Sequence, residues 1–116
     1  NIVRKRMKTR SRKIKSRRLS NYVRKKILKA FPHLKPKDVM LPKDGQSGPD
    51  FILSKNAKKL LLHQFELKNQ EKMYTLYKWF DQASKNTKLD PVVICKRNGS
   101  DPLAIIDLDH FIDLIK

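Results

Sequence analysis

Residues 48–69 read GPDFILSKNAKKLLLHQFELKN. Gly48-Pro49 is turn chemistry, and two apolar runs follow it, Asp50 to Ser54 and Leu60 to Lys68, separated by Lys55-Asn56-Ala57-Lys58-Lys59. Short runs of Phe, Ile and Leu bounded by Gly, Pro and Asn read as strands, and the polar connection between them predicts a hairpin. Side chains alternate faces along a strand, so Glu66 and Lys68 are expected on one side of the sheet, about 7 Å apart. Antiparallel pairing through a turn centred near residue 57 or 58 sets residue 50 opposite residue 65 or 66. Asp50 and Glu66 then become neighbours. Two adjacent carboxylates repel, and a hard divalent cation that takes oxygen ligands relieves the repulsion. A lysine beside such an ion can orient or deprotonate water and offset charge developing on a phosphate. These are the parts phosphodiester hydrolysis needs. The plainer alternatives are a turn-forming Asp50 after Gly-Pro and an exposed Glu66–Lys68 ion pair at a strand end.

Outward from this stretch the periodicity changes. Leu19, Tyr22, Val23, Ile27 and Ala30 recur at helical spacing, with Ser16 as the expected N-cap and Phe31-Pro32 as the stop. Residues 32–49 contain four prolines and two glycines and read as loop, with a short extended piece at Val39 to Leu41. Asn69 is placed to cap a helix from about Gln70 to Ser84, whose stripe is Met73, Leu76, Tyr77, Phe80 and Ala83. Pro91 to Lys96 and Leu103 to Ile106 read as strands, and Leu108, Phe111, Ile112 and Ile115 as the stripe of a last helix capped by Asp107 or Asp109. The order α-β-β-α-β-β-α predicts an α/β fold, a mixed central sheet flanked by helices. His63 alternates with core residues and is expected to be packed, His33 falls in a loop, and His110 lies in the last helix without an evident partner. Cys95, in a β run, reads as a small core hydrophobe. Tyr74 and Trp79 lie off the stripe and suit a dimer surface, stacking on unpaired bases, or ordinary packing.

The charge is unevenly distributed. The chain has 116 residues, the length of one domain, with 28 Lys and Arg against 11 Asp and Glu and a net charge of +17. Residues 1–37 hold 16 of the basic side chains and no acid, and the other 79 residues hold 12 basic and 11 acidic ones. The expected organisation is a basic N-terminal arm, 1–15, on a domain at 16–116. Within residues 1–18 only Ile2, Val3, Met7 and Ile14 are apolar, too few to offset ordering entropy, so the free arm is expected to be flexible. A polyanion changes that balance, because neutralised phosphates release counterions. The candidate phosphate contacts are Arg4, Lys5, Arg6, Lys8, Arg10, Arg12, Lys13, Lys15, Arg17 and Arg18, joined by Lys96 and Arg97 at a strand exit. A localisation tag, an anionic-membrane tether or a solubilising tail are the other readings of such a run. One cysteine permits no intramolecular disulfide and no Cys-based metal cluster, which fits a reducing intracellular compartment. No apolar stretch approaches the roughly 18 to 20 residues that span a bilayer. With three glycines and no GxxxxGK arrangement a nucleotide-cradling loop is excluded, and HExxH, paired CxxC and GxSxG are absent.

Pro49-Asp50 followed by Glu66-Leu67-Lys68 resembles the signature of the PD-(D/E)XK nuclease superfamily. The flanking GPDFILS, HQFELKNQEK, YKWFDQASKN, PVVICKRN and PLAIIDLDHFIDLI are similar to the small bacteriophage Holliday junction resolvases of that superfamily, over residues from about 15 to 116. The resemblance implies a restriction-endonuclease-like core in which Asp50, Glu66 and the backbone carbonyl of Leu67 ligate Mg²⁺ or Mn²⁺ and Lys68 handles the attacking water. It also brings Gln82, on the second helix, towards the site. The family often carries a further acid on its first helix. Here that stretch is Arg18-Leu19-Ser20-Asn21-Tyr22, where Ser20 supplies at most a polar or water-mediated contact, so a second metal is less expected. The implied partner is branched DNA, a four-way junction nicked on two symmetric strands by a homodimer in the host-cell cytoplasm, with no membrane and no nucleotide cofactor. The alternatives are a nuclease of the same fold acting on flap, nicked or linear duplex DNA, and a non-catalytic basic nucleic-acid-binding protein.

Overall fold

The computed structural model describes the backbone of residues 2–116 and the side chains of residues 12–116. No glycine or proline occurs before Pro32, and Arg, Lys, Met and Leu are good helix formers. The first helix, α1, accordingly runs over Ile2–Ala30. Its start is a correction: Ser16 is not an N-cap but lies inside the helix, where its carbonyl accepts the Ser20 hydroxyl at 3.0 Å. The position expected as a boundary, between residues 15 and 16, falls within continuous helical backbone. At the other end the reading holds, since Pro32 has no N–H to extend the ladder and Phe31 donates the last bond to the Ile27 carbonyl at 2.9 Å.

The chain divides into two compact units, residues 1–69 and 70–116. In the first, α1 buries Val23 and Ile27, four residues apart on one face, while Tyr22 is exposed beneath the Lys26 ammonium, 5.0 Å from its ring centre. A 3-10 turn at Pro36–Asp38 leads into β1, Val39–Met40, which pairs antiparallel with β2, Ile52–Leu53. Val39 faces Leu53 and Met40 faces Ile52. The partner of β2 is therefore β1, not Leu60 to Lys68. Residues 55–60, expected as a hairpin turn and the start of a strand, form helix α2, Lys55–Leu60. Ser54 is the reason: its hydroxyl oxygen accepts the Ala57 N–H at 3.1 Å, and an N-cap followed by Lys, Ala and Leu favours a helical turn over a hairpin. The Leu61 N–H, donating to the Ala57 carbonyl at 2.7 Å, closes α2. Phe31, Leu34, Val39, Phe51, Ala57 and Leu61 complete the core of this unit.

Two polar side chains fasten the loop to the helices. Arg24 donates from Nε to the Val39 carbonyl and from Nη2 to the Pro36 carbonyl, at 2.8 Å for the latter. Asp38, 4% exposed, accepts the Ser54 hydroxyl at 2.6 Å and the Lys35 N–H at 2.7 Å. These bonds, the Ser54 hydroxyl first and the Lys35 amide second, hold the Asp38 carboxyl below its ordinary pKa against the opposing effect of burial, with Lys37 and Lys35 adding to the lowering. A depressed folded-state pKa stabilises the fold above the unfolded value and loses that contribution as pH falls through the folded one. On acidification below pH about 4 the thermal midpoint of the wild type is expected to fall more steeply than that of Asp38→Asn, as followed by circular dichroism.

The second unit holds α3, Tyr74–Ser84, the antiparallel strands β3, Val92–Cys95, and β4, Leu103–Ile106, and α4, Leu108–Ile115. Helix α3 starts at Tyr74 with Met73 as its N-cap, not at Gln70 behind Asn69. Asn69 makes a different bond, described below. Val92 faces Ile106 and Cys95 faces Leu103, with a turn between the strands in which the Ser100 N–H reaches the Arg97 carbonyl at 3.0 Å and Gly99 takes φ 77°. A side chain at Gly99 would be strained in that conformation. Asp107 caps α4 by accepting the His110 N–H at 3.2 Å, and Ile112 is its buried residue. His110 does have a partner: its Nε2 lies 3.7 Å from Asp90 Oδ2. Helix α3 packs on β3, Cys95 is half-buried, and Tyr74, Trp79, Val92, Ile94 and Leu103 are exposed. Among the described residues no helix is long and apolar enough to cross a membrane.

Candidate active site

Residues 61–73 contain neither helix nor strand, so Glu66 and Lys68 are not aligned by a ladder. Contacts with the rest of the unit hold the segment around Glu66 instead. Phe51, 4% exposed in the core, meets the Phe65 ring edge-on, with 5.8 Å between centres and 71° between planes. Beside it, Asp50 Oδ2 accepts the Leu67 N–H at 2.7 Å. Asn69 Nδ2 donates to the Lys15 carbonyl on α1 at 3.3 Å. Phe51, Phe65, Leu67 and Asn69, neighbours of the candidate catalytic groups, are each engaged in a contact.

The Leu67 amide nitrogen is bonded to the Glu66 carbonyl carbon, which places Asp50 Oδ2 within about 5 Å of the Glu66 Cα. Glu66 Oε1 in turn lies 3.2 Å from Lys68 Nζ, with both side chains mostly exposed. The structure therefore brings Asp50 to the Glu66-Leu67-Lys68 segment by aromatic packing and a side-chain hydrogen bond. His63 is exposed, because the alternation that would have turned it inward needs a strand.

The donor set is two carboxylates and a backbone carbonyl, all oxygen. Among the described residues no group of three or more His, Cys, Asp or Glu is positioned to hold a metal. Two carboxylates alone suit Mg²⁺, which keeps several waters and is commonly bound through one or two carboxylates together with substrate phosphate oxygens. Asp50 Oδ1 takes no part in the bond to the Leu67 N–H.

The other expected residues are placed as follows. Ser20 spends its hydroxyl on the Ser16 carbonyl within α1. Gln82 is exposed on α3, in the second unit. Arg12, Lys13, Lys15, Arg17 and Arg18 are exposed along α1, where Arg17 Nη1 lies 3.6 Å from Asp44 Oδ1. The side chains of Arg4, Lys5, Arg6, Lys8 and Arg10 lie outside the described residues. Lys96 and Arg97 are exposed just beyond β3, and Arg97 Nε donates to the Ser100 hydroxyl at 3.1 Å.

The division into units sharpens the electrostatics. Residues 1–69 carry 21 basic and 4 acidic side chains, and residues 70–116 carry 7 of each. The entire net charge of +17 sits in the unit that contains Asp50, Glu66 and Lys68. Two features escaped the sequence reading. One is the Phe51–Phe65 pair, whose signal was an aromatic directly beside each carboxylate. The other is the tie from Asn69 to α1, for which the sequence offers no signal. No protein-family model, curated protein or solved structure matches the chain.

Proposed function

We propose that the chain is a Mg²⁺-dependent endonuclease that nicks branched DNA, of the PD-(D/E)XK kind with a restriction-endonuclease-like core. Asp50, Glu66 and the Leu67 carbonyl hold the ion, and Lys68 serves the attacking water. The observation that carries this reading is the bond from the Leu67 N–H to Asp50, which joins the two halves of the motif across 17 residues. When bound, a divalent ion would supply positive charge to a phosphate and lower the pKa of water beside it. The protein's part is positioning. Asp50 is fixed by an amide and needs no reordering when substrate arrives. Lys68 holds an ammonium two residues from Glu66, where it offsets negative charge building on the phosphate. The surrounding cationic unit attracts the polyanion and confers strong salt dependence. Paired nicks on a four-way junction call for two sites related by a twofold axis, hence a homodimer. The exposed Tyr74, Trp79, Val92, Ile94 and Leu103 offer apolar surface for contact between copies. If phage-encoded, as the resemblance implies, the chain would act in the cytoplasm of a host cell.

The test is incubation with a synthetic four-way junction, a flap and a linear duplex in Mg²⁺, with the cuts mapped. Paired symmetric nicks on the junction alone are expected. Equal digestion of all three would contradict junction resolution and leave a nuclease of broader substrate range. A second reading, a basic DNA-binding protein without catalysis, draws on the Glu66–Lys68 ion pair, which satisfies both charges without a metal. It predicts no Mg²⁺-dependent nicking of any substrate.

A further inference from the structure

We propose that the outer face of α2, formed by Lys55, Lys58 and Lys59, is a phosphate-binding surface that holds DNA on the unit carrying the candidate active site. Positions 55, 58 and 59 are spaced i, i+3 and i+4, so they share one side of the helix, with neighbouring Cβ atoms about 5–6 Å apart. All three lysines are exposed, whereas Ala57 and Leu61 are buried, which fixes the direction this face takes. No carboxylate pairs with any of the three among the described residues. Like charges at these spacings destabilise a helix, and a six-residue helix has little stability to spare. Bound phosphates reverse that penalty.

The placement is as telling as the charge. Helix α2 is the link between β2, which follows Asp50 and Phe51, and the segment that carries Phe65, Glu66 and Lys68. Its start is tied to the core through Ser54, whose hydroxyl donates to Asp38 and whose oxygen caps the helix, and its end through the buried Leu61. The lysines are therefore held on a fixed element of the same unit as the site. Ammonium groups act as point charges without the planar fork that reads a base edge. The ligand is accordingly the sugar-phosphate backbone, contacted without regard to sequence.

The inference rests on DNA being the substrate of the proposed function, and not on cleavage. Its test is the binding of a four-way junction without Mg²⁺ across a salt series, for the wild type and for Lys55→Gln, Lys58→Gln and Lys59→Gln combined. Glutamine is a good helix former and none of the three positions is buried, so the variant is expected to melt at or above the wild-type midpoint. The slope of log affinity against log salt should shrink by as much as about 2.7 for three lost phosphate contacts, and affinity at ~0.1 M salt by one to two orders of magnitude. The corresponding triple arginine variant should keep the wild-type slope. An unchanged slope and affinity in the glutamine variant would overturn the assignment. The two readings fail separately: a wild type that never cleaves can still lose slope on substitution, and one that nicks DNA can be indifferent to it.

Discussion

Asp50→Asn is expected to lower Mg²⁺-dependent nicking by about three orders of magnitude while leaving the protein folded and able to bind DNA. The magnitude follows from the several kcal/mol of charge stabilisation a metal supplies, at about 1.4 kcal/mol per tenfold in rate. The substitution separates two tasks that Asp50 performs. A carboxamide oxygen still accepts the Leu67 N–H, so the segment stays pinned, but the negative charge that holds a cation is gone. Glu66→Gln should behave alike, and because Glu66 and Lys68 are mostly exposed, loss of their ion pair costs stability little. Binding of the junction should be equal or tighter in both variants, since each removes one of only 4 acidic side chains from a unit with 21 basic ones. Single-turnover cleavage beside equilibrium binding measures the split. Wild-type nicking by Asp50→Asn would remove Asp50 from the mechanism.

Phe51→Ala carries the largest expected effect on stability. The side chain is 4% exposed and forms the edge-on pair with Phe65. Truncating a buried phenylalanine costs about 3–5 kcal/mol, and the ring pair accounts for about 0.5–1.5 kcal/mol of that. Against a total of roughly 5–15 kcal/mol for a small protein, the loss leaves a marginal fold. It also releases Phe65, which packs beside Glu66, so activity should suffer even where the variant remains folded. Denaturant unfolding gives the number, with the exposed Tyr22→Ala as the comparison, expected to change stability by about 0.5 kcal/mol or less. A cost below about 1 kcal/mol at Phe51 would show that the aromatic pair does not organise the site.

What could be read from the residues alone was what short-range signals dictate. The Val23 and Ile27 stripe, the stop at Pro32, the extended pair at Val39 and Met40, strands β3 and β4 and the Asp107 cap all follow from neighbours a few positions apart. The reading failed where two local rules competed. Leu60-Leu61-Leu62 is a continuous apolar run that does not distinguish strand from the end of a helix, and the capping chemistry of Ser54 settled the choice in favour of α2. At residues 2–15 helix propensity competed with like-charge repulsion, and the backbone is helical. The candidate residues were legible in composition, but the contacts that tie their segments together were not. Asp50 meets the Glu66-Leu67-Lys68 segment through the Leu67 amide and the Phe51–Phe65 rings, long-range contacts that no periodicity encodes.

The most direct test of the account is whether the two carboxylates share an ion. Mn²⁺ titrated into the junction-bound protein and followed by electron paramagnetic resonance should show uptake by the wild type at a site that both Asp50→Asn and Glu66→Gln lose. Equal Mn²⁺ uptake by all three proteins would contradict it.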